Sequence, residues 1–395
     1  MIVTAGLRSR SPLHFYSQRL KTMKKILILS VSAGQGHVRA AESLVAGTTE
    51  WFNGGAVARH VDLMSLCPPW FSTAYKGAYL KFVGRFPSLW GMLYSRTDID
   101  RAEGLMGQLR RRLESQVSKP LQKIIDEYQP DILISTHFLP GQVLARWLRR
   151  GRIEPRPHWI VVTDFLAHRF WLEPEQSGYF VAGEETAFTM QKRGLEKERF
   201  IISGIPIMPE FSRSLEKGAS AAAFGLDASR PVVVLMGGGE GVGLMKDIAA
   251  ELINLDVDFQ LLALAGRNAK LFSDLKKMSA NRPGRLFPQG FTDEMPKLLT
   301  GADLVITKPG GLTTSECLAL GRPMIAISPI PGQEEANSDY LLENGAALKA
   351  TSLPSLTFKA RKLLNDSQKL ERLGGNALKI GKPLAAKTIL DTVLQ

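Results

Sequence analysis

Short apolar runs alternate with amphipathic segments of helical period along most of the chain. The runs Lys25–Ser30 (KILILS) and Asp131–Thr136 (DILIST) have the length and β-branched content of buried strands. The same pattern predicts further strands at Val57–Asp62, His158–Thr163, Tyr179–Ala182, Phe200–Ser203, Pro231–Met236, Gln260–Ala265, the region around Phe287, Asp303–Thr307 and Met324–Ser328. Strands that alternate with helices indicate an α/β fold built on parallel sheets.

The alternation is interrupted at Gly204–Pro209 (GIPIMP), which is rich in proline, lacks a helical period and predicts a domain boundary. A chain of 395 residues is also long for one core. We therefore expect a first domain at 24–205, a second at 206–375 and a helix at 376–395. Residues 1–23 are basic and lack the apolar core of a secretory signal, which indicates a disordered tail or a natural start at Met23.

The segment 303–337 reads as strand, glycine-rich turn, helix, strand and loop. Its turn, Lys308–Gly311 (KPGG), lets the backbone approach a ligand because glycine has no Cβ. We expect the next helix to begin at Thr313 or Thr314, either of which can cap it. A helix N-terminus suits a phosphate, and Glu316 lies one turn in, where a carboxylate can bind both hydroxyls of a ribose. An ordinary β-α-β unit with a glycine turn explains the same local pattern.

A second glycine-rich turn, Gly237–Gly243 (GGGEGVG), follows the predicted strand at Pro231–Met236. Its backbone N–H groups can approach an anion closely, and a helix is predicted from near Leu244. The turn is not a P-loop, because the G-K-[ST] ending is absent. It therefore indicates a phosphate cradle of another kind.

The first predicted strand leads into the turn Gly34–Val38 (GQGHV), and a helix is predicted from about Arg39 to Thr49. His37 lies at the carboxyl edge of that strand, where open α/β sheets bind their ligands. A histidine there can act as a base near neutral pH. A histidine that caps its own turn is the alternative.

Two further candidates lie just beyond the predicted strand His158–Thr163. Asp164 and His168 belong to the run TDFLAHRFW and follow a strand end, where polar side chains can meet a ligand. Asp164 could equally cap the turn that follows.

Aromatic residues recur at helical spacing between residues 70 and 94. An arc of about 100° on a helix holds Phe71, Tyr75, Tyr79, Phe82, Phe86 and Trp90, and beside it lie Lys76, Lys81 and Arg85. Aromatic residues flanked by cations are typical of a helix that lies in a membrane interface. A stripe that faces the core explains the same spacing, and Pro87 interrupts it.

Charge and composition limit the classes of partner that the protein is expected to bind. Residues 1–200 hold 28 Lys and Arg against 18 Asp and Glu, whereas residues 201–395 hold 22 against 20. This basic half, without a nucleic-acid-binding signature, favours acidic lipid over nucleic acid as a partner. No apolar run reaches the roughly 18 residues of a membrane-spanning helix. The two cysteines indicate a reducing compartment, and the spacing of acids and histidines leads us to expect no metal.

Five motifs occur in order between Lys24 and Ala350: GQGHVRAAESL, TDFLAHRFW, SGIPIMPEF, ITKPGGLTTSE and PIPGQEEAN. Together with two Rossmann-like halves, they resemble the diacylglycerol glycosyltransferases, namely glycosyltransferase family 28 enzymes of the monogalactosyldiacylglycerol synthase and bacterial processive diacylglycerol glucosyltransferase type. The N-acetylglucosaminyltransferase of peptidoglycan lipid synthesis is more distantly similar. The turn before His37 departs from the plant-type pattern, with Gln35 in place of a glycine and Ser32 in place of an acid.

The resemblance implies a GT-B fold, in which two Rossmann-like domains face a cleft and a C-terminal helix packs back on the first domain. It implies that the second domain holds a UDP-sugar, with Glu316 at the ribose, and that His37 is the base, with Asp164 as a second catalytic candidate. The expected donor-binding set is Gly36, Gly237, Gly238, Gly239, Lys308, Gly310, Gly311, Thr313, Glu316, Gln333, Glu334 and Asn337. The expected acceptor and membrane set is Trp70, Phe71, Tyr75, Lys76, Tyr79, Phe82, Arg85, Phe86 and His168.

The implied reaction is inverting transfer of a hexose from UDP-glucose or UDP-galactose to diacylglycerol or a glycosyl-diacylglycerol, without a metal or other cofactor. The family's peripheral membrane binding leads us to expect a cytoplasmic protein on the inner face of the cell membrane, in contact with anionic lipids. Three alternatives are a UDP-sugar 2-epimerase on the same fold, an N-acetylglucosaminyltransferase for another lipid-linked acceptor, and a non-catalytic UDP-sugar sensor. The donor sugar and the number of sugars added are open at this point.

Overall fold

The computed structural model describes residues 23–32, 34–73, 105–237, 245–327 and 331–395, with side chains from residue 111 onward in the helix that begins at Leu105. Within these ranges the chain forms two six-stranded sheets, and every paired strand runs parallel to its neighbour. This arrangement confirms the predicted α/β architecture of two Rossmann-like domains.

The first sheet has the strand order β2-β1-β3-β4-β5-β6. Its strands are β1 (Lys24–Ser30), β2 (Ala56–Asp62), β3 (Ile132–Ser135), β4 (His158–Val161), β5 (Gly178–Val181) and β6 (Phe200–Ile202). The central strands β1, β3, β4 and β5 are almost entirely buried, as expected for parallel strands covered on both faces.

The second sheet has the order β12-β11-β10-β7-β8-β9. Its strands are β7 (Val232–Met236), β8 (Gln260–Gly266), β9 (Leu286–Gly290), β10 (Leu304–Thr307), β11 (Met324–Ile327) and β12 (Ala347–Ala350). Strand β12 was not predicted, because the short sequence ALKA has no alternation and carries a lysine.

Helices cover both sheets. In the first domain they are α1 (Gln35–Trp51), α2 (Leu105–Tyr128), α3 (Phe138–Arg149) and α4 (Glu184–Lys192). In the second they are α5 (Lys217–Ala222), α6 (Met245–Ile253), α7 (Ala269–Ala280), α8 (Met295–Thr300), α9 (Gly311–Ala319), α10 (Gln333–Glu343), α11 (Leu353–Leu364) and α12 (Ser367–Ile380), before the last helix α13 (Ala385–Val393). Short 3-10 helices lie at Leu63–Leu66, Arg169–Trp171, Lys197–Arg199 and Pro209–Ser212.

The strand orders identify where a ligand crevice opens. Each sheet reverses its order once, between β1 and β3 in the first sheet and between β7 and β10 in the second. Loops that leave two such strands diverge to opposite faces of the sheet and open a crevice at the carboxyl edge. His37 follows β1 and the turn Lys308–Gly311 follows β10, so both candidate motifs lie at these positions.

Helix α13 returns to the first domain. Its residues Ile389 and Leu390 are buried in the same apolar cluster as Ile28 of β1 and Leu44 of α1. The C-terminal helix therefore packs on the first domain, as the resemblance implied.

A second shared cluster joins the two domains. It contains Phe165 and Ile205 from the first domain together with Leu312 and Leu341 from the second. The two domains therefore pack against each other through apolar side chains, in addition to being joined by the covalent chain. Among the described residues, no helix has both the length and the apolar character needed to cross a bilayer.

Two predicted helix starts are wrong. Helix α9 begins at Gly311 with Gly310 as its cap, not at Thr313 or Thr314, because Gly310 takes an extended conformation and the turn enters the helix directly. Helix α1 likewise begins at Gln35 rather than near Arg39, so that His37 lies inside its first turn. In both cases the glycine-rich turn is shorter than the sequence pattern predicted.

Candidate active site

His37 stands at the N-terminal end of α1 and is held by two strand ends. Its Nδ1 lies 3.0 Å from the carbonyl oxygen of Thr136 and 2.7 Å from Oγ1 of Thr163. A carbonyl oxygen can only accept, so Nδ1 must carry the proton that it donates. The other ring nitrogen, Nε2, is then unprotonated and has the lone pair that a base needs.

Burial keeps the His37 ring neutral. It lowers the pKa of His37 to about 4, and the hydrogen bond to the Thr136 carbonyl opposes this shift. The ring of His137 packs edge-on against that of His37 at 4.5 Å between centroids, which adds to the desolvation. At neutral pH, His37 is therefore in the form that can accept a proton.

Two surfaces face each other in the site. The first wall consists of His37 with Thr136 and Thr163, and the opposite wall, or donor wall, consists of the turn Lys308–Gly311 and the N-terminus of α9 with Glu316. The turn Lys308–Gly311 follows β10, and Gly310 caps the helix through its extended backbone without a side-chain hydrogen bond. The first N–H groups of a helix have no intrahelical partner, and they carry the positive end of its dipole. With the half-buried Lys308 beside it, this wall can bind an anion.

Glu316 lies one turn into α9 and is 8% exposed. Burial raises the pKa of its carboxyl to about 7, and the cation of Arg39 on α1 opposes the shift. Arg39 also pairs with Glu42 at 2.9 Å on its own helix. A buried carboxylate that has a cation on the facing domain is placed to accept hydrogen bonds from a diol.

The two walls touch at two glycines. A Cβ on Gly311 would overlap the carbonyl oxygen of Thr163, so the turn of the second domain lies directly on the residue that holds His37. Across the same junction, a Cβ on Gly36 would lie 3.6 Å from Leu312, an ordinary contact. Gly311 is therefore required for the domains to approach this closely.

Asp164 lies between the walls and has an unusual environment. The residue is 8% exposed, and among the described residues its Oδ2 has no hydrogen-bond partner. Burial raises the pKa of Asp164 to about 7, the carboxylate of Glu334 raises it further, and the amide of Asn337 opposes both. Its predicted catalytic role stays a prediction, since a buried acid of this kind can also serve to bind a hydroxyl.

Asn337 of α10 connects the domains. Its Oδ1 accepts the backbone N–H of Phe165 at 3.0 Å, and its Nδ2 donates to the carbonyl oxygen of Pro309 at 3.0 Å. The ring of Phe165 stacks on Tyr340 one turn further along α10, with centroids 4.4 Å apart. The contacts of Phe165 with Asn337 and Tyr340 link the loop after β4 to the second domain, and the hydrogen bond to Pro309 ties α10 to the turn Lys308–Gly311.

The remaining donor-binding candidates fall near the same edge or outside the described residues. Gly237 directly follows β7, Thr313 lies in the first turn of α9, and Gln333 and Glu334 begin α10. Gly238 and Gly239 lie outside the described residues. The structure therefore groups these candidates around one crevice, and their contacts with a donor stay predictions.

The structure describes the aromatic segment 70–94 only up to residue 73. Trp70 is 68% exposed, as a membrane-facing residue requires. Phe71 is buried in the same apolar cluster of the first domain as Leu113 and Val117 of α2, so its expected place on the membrane surface is corrected. Six candidates lie outside the described residues: Tyr75, Lys76, Tyr79, Phe82, Arg85 and Phe86.

His168 is also corrected. Its side chain is buried, its Nδ1 accepts the backbone N–H of Phe170, and it caps the 3-10 helix at Arg169–Trp171. A buried capping histidine does not present its ring to a lipid acceptor. Its position beyond a strand end was predicted correctly, but its contact was not.

Thr136, Thr163 and Arg39 are the site residues that sequence reasoning missed. Thr136 and Thr163 are each the last residue of a predicted strand and lie just beyond the observed strands β3 and β4, at the ligand edge of the sheet. That position was the available signal, but nothing local ties either residue to His37, 99 and 126 residues away. No group of three or more acids, histidines and cysteines able to hold a metal occurs in the described part of the chain.

Comparison with known proteins identifies the family. Residues 37–207 match the family model of monogalactosyldiacylglycerol (MGDG) synthase, and residues 237–380 match that of the glycosyl transferases group 1. Monogalactosyldiacylglycerol synthase 1, chloroplastic, from Arabidopsis thaliana is 30% identical over 403 aligned positions, covering 98% of this chain and 74% of that protein. The chain belongs to the monogalactosyldiacylglycerol synthase family. The predicted family is thereby confirmed.

A bacterial relative and a solved structure complete the comparison. The processive diacylglycerol beta-glucosyltransferase of Bacillus subtilis (strain 168) is 28% identical over 382 positions, covering 95% of this chain and 96% of that protein. The structure of UDP-GlcNAc 2-epimerase from Neisseria meningitidis bound to UDP-GlcNAc covers 94% of this chain and all of its own, with a TM-score of 0.60 and 12% identity. At that identity the likeness concerns the fold alone.

Proposed function

We propose that this protein is an inverting glycosyltransferase that moves a hexose from UDP-glucose or UDP-galactose to the hydroxyl of diacylglycerol or a glycosyl-diacylglycerol at a membrane surface. One observation carries the proposal: His37 donates Nδ1–H to Thr136 and keeps Nε2 unprotonated, and the neighbouring Gly36 lies next to Leu312 in the first turn of α9. A base opposite a diphosphate site is what displacement at a sugar C1 requires.

In the proposed reaction, Nε2 of His37 takes the proton of the acceptor hydroxyl. The acceptor oxygen forms a bond to C1 of the hexose from one side while the bond from C1 to the UDP oxygen breaks on the other. In-line displacement inverts the configuration at C1, and UDP leaves with the electron pair. Proton transfer to a positioned base contributes about 10²–10⁴-fold to such a rate.

The second domain binds the donor in this proposal. The N-terminus of α9 and Lys308 stabilise the charge that grows on the leaving diphosphate. Glu316 accepts hydrogen bonds from the two ribose hydroxyls, and Gln333 and Glu334 at the start of α10 contact the sugar. No metal or other cofactor is assigned a part.

The peripheral membrane location rests on charge and on one exposed aromatic residue. The first half of the chain holds the larger excess of basic residues, and Trp70, which precedes the stripe that begins at Phe71, is largely exposed. Basic surfaces attract anionic lipid head groups, and exposed tryptophan favours the interface. We propose that the first domain docks on the inner face of the cell membrane.

A transfer assay tests the proposal and its rivals together. The protein is incubated with vesicles that contain anionic lipid and diacylglycerol, separately with UDP-glucose, UDP-galactose and UDP-GlcNAc, and the lipids are resolved by mass spectrometry. A hexosyl-diacylglycerol, with UDP released only when the lipid acceptor is present, is expected. Formation of an epimerised UDP-sugar without lipid would replace the proposal by the isomerase, and binding of the donor without turnover would replace it by the sensor.

A further inference from the structure

We propose that Asn337 is a positioning residue that couples closure of the two domains to the orientation of His37. The inference rests on the proposed function for His37, but it assigns Asn337 to the domain junction instead of to the donor sugar. Asn337 is 1% exposed, and both ends of its amide are engaged, one in each domain. This burial leaves the side chain little free surface for a contact with the donor in this arrangement of the domains.

The first step of the coupling is the loop after β4. Asn337 accepts the N–H of Phe165, and on the other side of the same residue Thr186 donates its hydroxyl to the carbonyl oxygen of Phe165 at 2.6 Å. The peptide groups on both sides of Phe165 are therefore fixed, one by the second domain and one by α4 of the first.

The second step leads from this loop to the base. Thr163 lies two residues before Phe165, and its Oγ1 is 2.7 Å from Nδ1 of His37. The carbonyl oxygen of Thr163 lies against Gly311 of the donor wall. When the domains separate, the loop loses Asn337 and Gly311 together, so that the position of Thr163 and the orientation of the imidazole depend on closure.

The third step is the apolar partner of the link. The ring of Phe165 stacks on Tyr340, and the two rings are inclined by 26°. Phe165 and Leu341 also belong to the apolar cluster that spans both domains. Stacking on Tyr340 sets the orientation of the loop relative to α10, whereas the Asn337 hydrogen bond sets the distance of the Phe165 backbone from that helix. Substitutions of Tyr340 and of Asn337 therefore test the two contacts separately.

The test uses two substitutions of Asn337 and a neighbouring control. Asn337→Asp keeps an oxygen for Phe165 but turns a second oxygen toward the Pro309 carbonyl and adds an acid beside Asp164 and Glu334. Asn337→Ala removes both hydrogen bonds without adding charge, and it also removes the amide that opposes the raised pKa of Asp164. The matched control is Ser338→Ala, a buried residue of the same helix whose Oγ has no hydrogen-bond partner among the described residues.

Tyr340 provides the second pair of variants. Tyr340→Ala removes the ring that stacks on Phe165, whereas Tyr340→Phe keeps the ring and removes only the hydroxyl. If stacking orients the loop, the alanine variant has a lower kcat than the phenylalanine variant. Equal rates for the two would remove the stacking from the coupling.

Two readouts separate positioning from a merely structural role. Spin labels at Lys123→Cys on α2 and Lys276→Cys on α7, both exposed, report the distance between the domains with and without UDP; the native Cys67 and Cys317 are buried. Transfer kinetics report kcat, and calorimetry reports the Kd of UDP. We expect Asn337→Ala and Asn337→Asp to lengthen the UDP-bound distance and to lower kcat about 10- to 30-fold, as for the loss of one or two hydrogen bonds.

The Kd of UDP decides between the two roles of Asn337. A change in that Kd of less than about threefold, together with a longer distance, supports the coupling. A large loss of UDP-sugar affinity with unchanged distances would overturn it and return Asn337 to the donor site. The distances and the Kd need no lipid acceptor, so they remain informative if the transfer assay itself fails.

Discussion

The two walls of the site are built in opposite ways. The Glu316 wall comes from one continuous segment, in which β10, the turn Lys308–Gly311 and α9 follow one another. The His37 wall is assembled from three separate strand ends, because Thr136 and Thr163 lie 99 and 126 residues from His37. The proposed anion site is therefore local in sequence, whereas the proposed base is held by tertiary structure.

Burial acts on the two walls in opposite directions. It lowers the pKa of His37 to about 4 and raises that of Glu316 to about 7, so each group is moved toward its neutral form. Near neutral pH the consequences differ. His37 is neutral, which is the form that its proposed role as a base needs, whereas the charge of Glu316 responds to what binds beside it.

The largest expected effect is that of His37→Ala. We expect the rate of transfer to fall by about 10²–10⁴-fold, because the acceptor hydroxyl then has no positioned base. In the proposed function UDP binds the opposite wall, so its Kd should change little. Steady-state kinetics on diacylglycerol vesicles and calorimetry with UDP measure the two quantities.

His60→Ala is the control for this substitution. His60 is another partly buried histidine of the first sheet, and its Nε2 lies 2.7 Å from Ser30 Oγ, outside the site. It should leave the rate of transfer nearly unchanged. Near-wild-type transfer by the His37 variant would show that the base is elsewhere, with Asp164 the next candidate.

The different construction of the walls explains what sequence could predict. The predicted strands nearly all occur with shifts of one or two residues, since buried parallel strands are continuous apolar runs between turn residues. Glu316 and the turn before it were found because strand, turn and helix follow one another. The strand β12 and the starts of α1 and α9 were missed, because short edge strands and glycine caps leave little local pattern.

The contacts of the first-domain wall could not be read in the same way. The sequence placed His37 at a strand end but gave no reason to pair it with Thr136 or Thr163. It also suggested surface roles for Phe71 and His168, which the structure buries. An aromatic residue or a histidine has the same local signature on a surface and in a core, and only the fold decides between them.

Gly311→Ala tests the contact between the walls and should have the second-largest effect. The new Cβ would overlap the carbonyl oxygen of Thr163, and overpacking of this kind costs about 1–3 kcal/mol. Because the clash lies between domains, each domain should still fold. We expect transfer to fall by roughly 5- to 150-fold while the thermal unfolding temperature changes little.

Gly375→Ala is the matched control, because a Cβ there meets nothing within 4 Å and the residue lies in α12. It should leave transfer and closure unchanged. If Gly311→Ala keeps full activity, the close contact of the walls is not part of the reacting state, and the coupling through Thr163 loses its basis.

The smallest expected effect concerns the charge of Glu316. Ribose hydroxyls donate to the ionised carboxylate, so UDP binding favours ionisation and lowers a pKa that is about 7 without ligand. Affinity for UDP should therefore rise with pH through 7 and level off above it. One pH unit below that pKa about a tenth of the carboxyl is ionised, so UDP should bind about tenfold more weakly at pH 6 than at pH 8.

Glu316→Gln separates this effect from the titration of UDP itself, because the diphosphate titrates equally with both proteins. The glutamine variant should bind UDP more weakly than the wild type at pH 8. Between pH 6 and pH 8 its affinity should change only as far as the titration of UDP itself changes it. Calorimetry in buffers of different ionisation enthalpy should detect proton release on binding to the wild type, beyond that of the variant. If the affinity for UDP depended on pH identically in the two proteins, the Glu316 carboxylate would not contact the ribose. The donor wall would then bind only the phosphates.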